Sequence, residues 1–335
     1  MESRRRPVTS NDVARRAGVS QATVSLVLSG KAAGRVSAST EATVRAAAEE
    51  LGYRPNLAAR ALRTGTARAI GLVVPDVTHP FMGRVLRGTQ TAARREGYAV
   101  VLVDAANDWT WEVDSFEVLR NSAVDGFLLF GVDPPQQAGD LIERMVAIEA
   151  DPGALPAVRL DVEAGGAAIA EHLLGLGHLR LARLACSVFT TTFRRREAAW
   201  AEVLAAAGLD PVAIPRTISA MNVDAAVAGA AELLDTRPLP TAVFCDDDVL
   251  AAGLYVAARE RGLRVPDDLS VVGFDDLDIA RVLDPPLTTV AADPAALGAA
   301  AFERLLARLA GQDGPAESLV PVELVVRGST APPKG

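Results

Sequence analysis

Apolar positions near the start of the chain follow a helical spacing. In VTSNDVARRAGVSQATVSLVLSG (8–30) they fall at Val13, Ala14 and Ala17, then at Val19, Ala22, Val24, Val27 and Leu28. Ala17-Gly18-Val19-Ser20 separates the two runs. Gly18 suits the left-handed end of a first helix, and Ser20 suits the N-cap of a second. Two short helices across a tight turn with a glycine make the helix-turn-helix pattern, whose second helix enters the major groove of DNA. A helical hairpin in any bundle has the same pattern, so the spacing alone leaves both readings open. A third run, from about Ala38 to Leu51 with Thr40 and Glu41 at its start, is stopped by Gly52 and Pro55. The three predict a compact helical head.

From Ala69 the pattern changes. IGLVV (70–74), YAVVLV (98–103) and FLLF (127–130) are short apolar runs bounded by turn residues, as in buried parallel strands. Amphipathic stretches from Phe81 to Glu96 and from Trp111 to Ser122 lie between them. A second set follows, with strands near 157–160, 181–185, 242–245 and 270–274. Helices are expected near 163–175, 194–207, 223–234 and 249–262. Such alternation predicts parallel sheets joined by crossover helices, and two sets predict two lobes with a cleft at the carboxyl ends of the strands. Between Pro135 and Pro156 the pattern thins: VAIEAD (146–151) must serve as the strand, with a shortened crossover before it. The tail VELVVRGST (322–330) reads as a final strand.

Charge divides the chain at the same place. Residues 1–66 hold eleven Lys/Arg against five Asp/Glu, a net of +6. The whole chain is −8, so the remainder carries −14. A basic head on an acidic body fits a polyanion partner for the head alone. No run of eighteen apolar residues suggests a membrane span. Arg4-Arg5-Arg6 is followed by Pro7 and polar residues rather than an apolar stretch, so the expectation is a cytoplasmic, nucleoid-associated protein. Cys186 and Cys245 stand alone and are expected to be reduced and buried.

VTSNDVARRAGVSQATVSLVLSG, ELGYRPNLAARALRTG, IGLVVPD, LGH, VPDDLSVVGFDD and DPPLTTV, in that order and spacing, resemble the lactose-repressor family of bacterial transcriptional regulators. The resemblance runs through nearly the whole chain. It implies an α/β protein with a three-helix helix-turn-helix DNA-binding domain (1–53), a hinge segment (54–67) and a two-lobed, periplasmic-binding-protein-like effector and dimerisation domain (68–330). The chain would pass between the lobes three times. It further implies a homodimeric regulator, most simply a repressor, whose affinity for operator DNA is set by a small molecule, a sugar or similar polar metabolite, with no cofactor or metal.

The resemblance also implies roles for particular residues. Gln21, Ala22, Ser25 and Leu26 match positions that face base edges. Gln pairs well with adenine, while Ala and Leu offer apolar contact to a thymine methyl. Many members have Arg where this chain has Leu26. Thr23, Ser25, Arg35 and Asn56 are candidates for phosphate contact. Within the link 53–66, Pro55 and Gly65 bracket Asn56 to Arg63, which could make two helical turns but is too short to hold alone in water, so by sequence physics it reads as a flexible linker in the free protein. On operator DNA the family forms a hinge helix here, with Leu62 as a wedge in the minor groove and Ala59 keeping the paired helices close. In the cleft, His79 and Phe81 follow the first strand, Phe81 serving either to stack on a sugar ring or as core. Arg196, among Arg194 and Arg195, matches the arginine that grips ligand hydroxyls with a rigid fork. Asp247 falls where relatives typically have Asn. With Asp275 it predicts a more acidic cleft, suited to neutral hydroxyls or to a cation. Asp248 is expected to cap the helix that follows. His172 and His178 are expected to pack.

Two other classes are weighed. A transport-type solute-binding protein would share the body but not the basic head. A magnesium enzyme built on Asp246-Asp247-Asp248 would need a phosphate-cradling glycine loop, which is missing. HExxH and GxSxG are absent too, so no enzyme is expected.

Overall fold

A computed structural model describes residues 8–30, 32–53, 66–105, 124–131, 136–188 and 190–334. The chain divides into two compact units, Met1–Ala67 and Arg68–Gly335.

The first unit holds α1 (Ser10–Ala17), α2 (Gln21–Leu28) and α3 (Ala38–Glu50). Gly18 ends α1 with φ +67°, and Ser20 caps α2 by accepting from the Thr23 amide at 3.1 Å. At the start of α1, Thr9 and Asp12 form a reciprocal capping box. Val13, Ala14, Val24, Val27, Val44, Ala47 and Ala48 close on one another as the core of the head. Ala22, read as part of the apolar stripe, is instead exposed.

The second unit is two six-stranded sheets. In chain order it contains β1 (Ala69–Val74), α4 (Pro80–Arg95), β2 (Ala99–Asp104), β3 (Gly126–Phe130), β4 (Met145–Ile148), β5 (Ala157–Leu160) and α5 (Val162–Gly175). Then come β6 (Leu181–Cys186), α6 (Thr191–Ala206), β7 (Arg216–Ser219), α7 (Val223–Leu234), β8 (Ala242–Cys245) and α8 (Asp248–Glu260). The unit ends with β9 (Ser270–Asp275), α9 (Asp278–Val282), β10 (Thr288–Ala291), α10 (Pro294–Leu309), β11 (Glu317–Val320) and β12 (Glu323–Val325). The first sheet runs β11-β5-β4-β3-β1-β2 and the second β12-β10-β9-β8-β6-β7. All neighbours are parallel except β12, which lies antiparallel to β10. The chain therefore passes from sheet to sheet after β5, after β10 and after β11, the three crossings expected.

The structure corrects several expectations. Residues 157–160, which the pattern places with the second set of strands, form β5 and pair with β4 and β11 in the first sheet. Its apolar run looks the same in either sheet, and only the pairing decides. β7, β10, β11 and α10 were not anticipated. The tail is a strand only over Glu323–Val325. Before β4 the crossover is a 3-10 segment, Gln136–Arg144, broken at Gly139, so the shortening read from the sequence is present. The stretch Trp111 to Ser122 lies outside the described residues. In the first lobe α4 and α10 touch backbone to backbone: a Cβ on Gly88 would lie 1.9 Å from the Ala295 carbonyl oxygen. Among the described residues no helix is long and apolar enough to cross a membrane.

Candidate functional site

The strands of both sheets end at one cavity. It is lined from β1 by Asp76 and His79, from β3 by Phe130 and Gly131, from β4 by Glu149 and from β5 by Leu160. The other lobe supplies Val188, Thr190, Thr192, Phe193 and Arg196 after β6, Met221 after β7, Asp247 after β8 and Asp275 at the end of β9. The cavity is about 130 Å³. A doubly wound sheet binds ligands at its carboxyl edge because loops and helix N-termini converge there.

His79, Phe81, Arg196, Asp247 and Asp275, all named from the sequence, come together on this cavity. Of the three arginines in FRRREAAW, only Arg196 turns into it. Arg195 reaches Asp151 and Glu163 instead. Arg196 is 3% exposed and lies flat on the Phe274 ring, its guanidinium carbon 3.3 Å from the centroid. Its Nη1 donates to the Asp246 carbonyl at 2.5 Å, while Nε has no protein partner. Burial pulls its pKa below the usual arginine value, opposed by the charges of Asp275 and Asp246.

Beneath Arg196 lies a buried ion pair. Arg183 Nε and Nη2 donate to the two oxygens of Asp246, both at 2.9 Å, and Nη1 reaches Glu197 at 2.7 Å. Asp246 also accepts from the Cys186 amide. Both of its oxygens are thus committed, and its carbonyl is fixed where Arg196 needs it.

Asp247 rather than Asp248 caps α8, accepting from the Val249 amide at 2.6 Å, which corrects the sequence reading. Asp248 points inward, accepting from the Leu277 amide at 2.7 Å and the Thr289 hydroxyl at 2.6 Å. Burial raises its pKa to about 8. The capping signal was legible, but which of three adjacent aspartates faces the helix end depends on how β8 leaves the sheet.

The second oxygen of Asp247 sits 3.1 Å from His79 Nε2 across the cleft, an electrostatic contact without hydrogen-bond alignment. His79 Nδ1 accepts from the Phe81 amide at 3.4 Å, which orients the ring with Nε2 toward Asp247. Asp275 is 8% exposed and holds φ +102°, a left-handed strain of the kind that persists at functional sites. Its pKa stands well above the ordinary carboxylate value, first through burial and then through the charge and hydrogen bond of Asp247, with Arg196 opposing. A carboxyl shifted this way favours its protonated form, which donates as well as accepts. Phe81 is buried in the core and meets Phe130 edge-on at 6.0 Å, so the core reading holds while the ring also borders the cavity.

Glu149 was not foreseen. It follows β4 at φ +54°, accepts from the Leu160 amide at 2.5 Å, and crosses the cleft to accept from the Thr192 hydroxyl at 2.8 Å. Nothing in VAIEAD distinguishes it from a loop acid. Burial lifts its pKa from 4.5 to about 6. The folded state thus holds this proton more tightly than the unfolded chain. The associated stability is present below about 4.5 and is lost as pH rises through 6, a change of about 2 kcal/mol. Urea titrations from pH 4.5 to 7.5 should show Glu149→Gln flattening this part of the decline. Parallel profiles for the variant and the parent chain would refute it.

Among the described residues no group of His, Cys, Asp and Glu is arranged to hold a metal. Cys186 and Cys245 are free and buried, and burial raises both thiol pKa values. His172 meets Thr330, and His178 meets Thr241 and the Ala331 carbonyl, both as packing residues.

In the head, Gln21 and Ala22 are exposed on α2, Thr23, Ser25 and Leu26 are half-buried, and Arg35 is exposed. Asn56, Ala59 and Leu62 lie outside the described residues.

A helix-turn-helix and a two-lobed body with a cavity at its strand ends define a ligand-responsive DNA-binding protein. Residues 9–56 match the bacterial regulatory proteins, lacI family, and residues 170–330 match a periplasmic binding protein-like domain. The chain is 34% identical over 331 residues to the HTH-type transcriptional repressor CytR of Escherichia coli (strain K12), covering 96% of each. It superposes on the lac repressor dimer bound to operator and the anti-inducer ONPF with a TM-score of 0.86 at 30% identity, covering 97% of this chain and 100% of that one. A LacI family transcriptional regulator from Enterococcus faecium with bound ribose gives a TM-score of 0.72 at 27% identity, covering 79% and 100%. The chain belongs to the lacI family of bacterial transcriptional regulators and is a regulator, not an enzyme.

Proposed function

We propose that this protein is a homodimeric repressor whose operator affinity is governed by a one-ring polar metabolite, a sugar in the simplest case, held between the lobes. The observation that carries this reading is the cavity at the strand ends. There Arg196, with an uncommitted Nε, and the Asp247–Asp275 pair face one another across aromatic walls. A rigid fork opposite two neighbouring carboxyl groups suits vicinal hydroxyls, each of which both donates and accepts. The volume is comparable to cavities that hold one six-membered ring. The ribose-bound relative supports a sugar of that size. His79–Asp247 and Glu149–Thr192 bridge the lobes beside the cavity, so a ligand that favours this closed arrangement shifts the balance between two states. Its coupling to DNA is then reciprocal.

On the DNA side, α2 lies in the major groove with Gln21, Ala22, Ser25 and Leu26 toward the bases, while Thr23, Arg35 and Asn56 contact phosphates. Residues 54–67 serve as a hinge in the minor groove, with Leu62 as the wedge. Because a wedge acts only where the hinge folds, Leu62→Ala should weaken operator binding about tenfold or more and leave random duplex unaffected. Equal losses on both DNAs would remove the hinge role. The test of the whole reading is fluorescence anisotropy of the purified chain with DNA from upstream of its own gene, with and without a panel of sugars. Binding that one sugar alters supports it, and no binding above that to random duplex refutes it.

A further inference from the structure

The outward face of α2 carries no ionisable side chain: the helix is QATVSLVL throughout. Val24 and Val27 are spent on the core of the head. Guanine is read best by Arg or Lys and cytosine by Glu or Asp, and none of these is on the helix. What remains is the Gln21 amide, the apolar groups of Ala22 and Leu26, and the half-buried hydroxyls of Thr23, which bonds Ser20 at 2.9 Å, and Ser25; a hydroxyl donates or accepts and so does not select among bases.

The amide is held. Gln21 Nε2 donates one hydrogen to the Ser10 hydroxyl at 3.3 Å, and Ser10 is the first residue of α1. A carboxamide has two N–H donors and one carbonyl acceptor. After the bond to Ser10 it keeps one donor and the acceptor, the pair that matches N7 and the N6 amino group of adenine. Ala22 and Leu26 are four residues apart and therefore neighbours on one helix face. They present methyl groups that can rest against the C5-methyl of thymine.

We infer that α2 reads A·T pairs alone, through Gln21 positioned by Ser10 and through the apolar surface of Ala22 and Leu26. The half-site under this helix is accordingly free of required G·C pairs, and binding strength comes from phosphate contacts by the basic head. This rests on the proposal that α2 enters the major groove.

The test selects half-sites from a random duplex library with the full chain. It then maps the positions under α2 as those whose base preference changes in Gln21→Ala, Ala22→Gly and Leu26→Ala. Those positions should be A·T. Replacing thymine by uracil at the position mapped by Leu26 removes only a methyl and should weaken binding about fourfold. Ser10→Ala should lose preference at the adenine mapped by Gln21 with binding to random duplex unchanged, and Ser10→Thr should restore it. Leu26→Arg should move its position toward G·C. A required G·C pair at a mapped position, or no effect of uracil, overturns the inference. If instead no α2 variant changes any base preference, the groove assignment itself fails.

Discussion

Replacing Arg183 by methionine should destabilise the body by about 3–5 kcal/mol, because it strands Asp246 as a buried charge with no cation bonded to its carboxylate. Asp246 is 1% exposed and Arg183 2%, so solvent cannot take over the lost pairing. The Cys186 amide alone remains to hold the carboxylate. The double variant Arg183→Met/Asp246→Leu should recover most of the loss, since removing both charges removes the desolvation cost as well. Urea unfolding of the three proteins, monitored by circular dichroism, decides it. A loss below about 1 kcal/mol in the single variant, or no recovery in the double, would show that the buried pair does not hold the lobe together.

The second large effect concerns Arg196. Arg196→Ala should reduce effector affinity roughly 100-fold, the loss of about two charge-assisted hydrogen bonds, with operator affinity unchanged when no effector is present. The guanidinium is held by the Asp246 carbonyl and the Phe274 face, so little is lost in ordering it when a ligand arrives. Arg196→Lys should rescue poorly, because an ammonium lacks the fork and cannot stack in the same way. Calorimetry with the sugar identified by the anisotropy panel measures the affinity, and anisotropy measures DNA binding. An Arg196→Ala protein that binds effector as tightly as the parent chain would exclude this side chain from the site. Loss of DNA binding and effector binding together would point to unfolding instead.

These two residues depend on one another. Arg183 fixes Asp246, and the Asp246 carbonyl fixes Arg196, so the stability of the second lobe and the shape of the cleft share a single polar chain. Asp275, strained at φ +102°, adds a second carboxyl close enough to act on the charge of Arg196.

The fold of the head is legible along the chain, because it rests on local signals. Gly18, Ser20, the Thr9–Asp12 box and a helical apolar period each act within a few residues. Equally legible along the chain are the alternation of strands and helices, the carboxyl-edge position of His79, Arg196, Asp247 and Asp275, and, with the family resemblance, the class of protein. What depends on contacts between distant segments emerges only once the chain is folded. β5 reads as a buried strand wherever it pairs, and its place in the first sheet follows from Arg159 and its neighbours lying beside Glu317 and β11. Asp247 and Asp248 are chemically identical, and the path of the chain out of β8 gives one the helix cap and the other the Leu277 amide and Thr289 hydroxyl. Glu149 carries no signal along the chain, because its burial, raised pKa and bond to Thr192 arise only when two lobes meet around it. Periodicity and capping act over one turn or one pleat, whereas burial and charge pairing are properties of the assembled cleft.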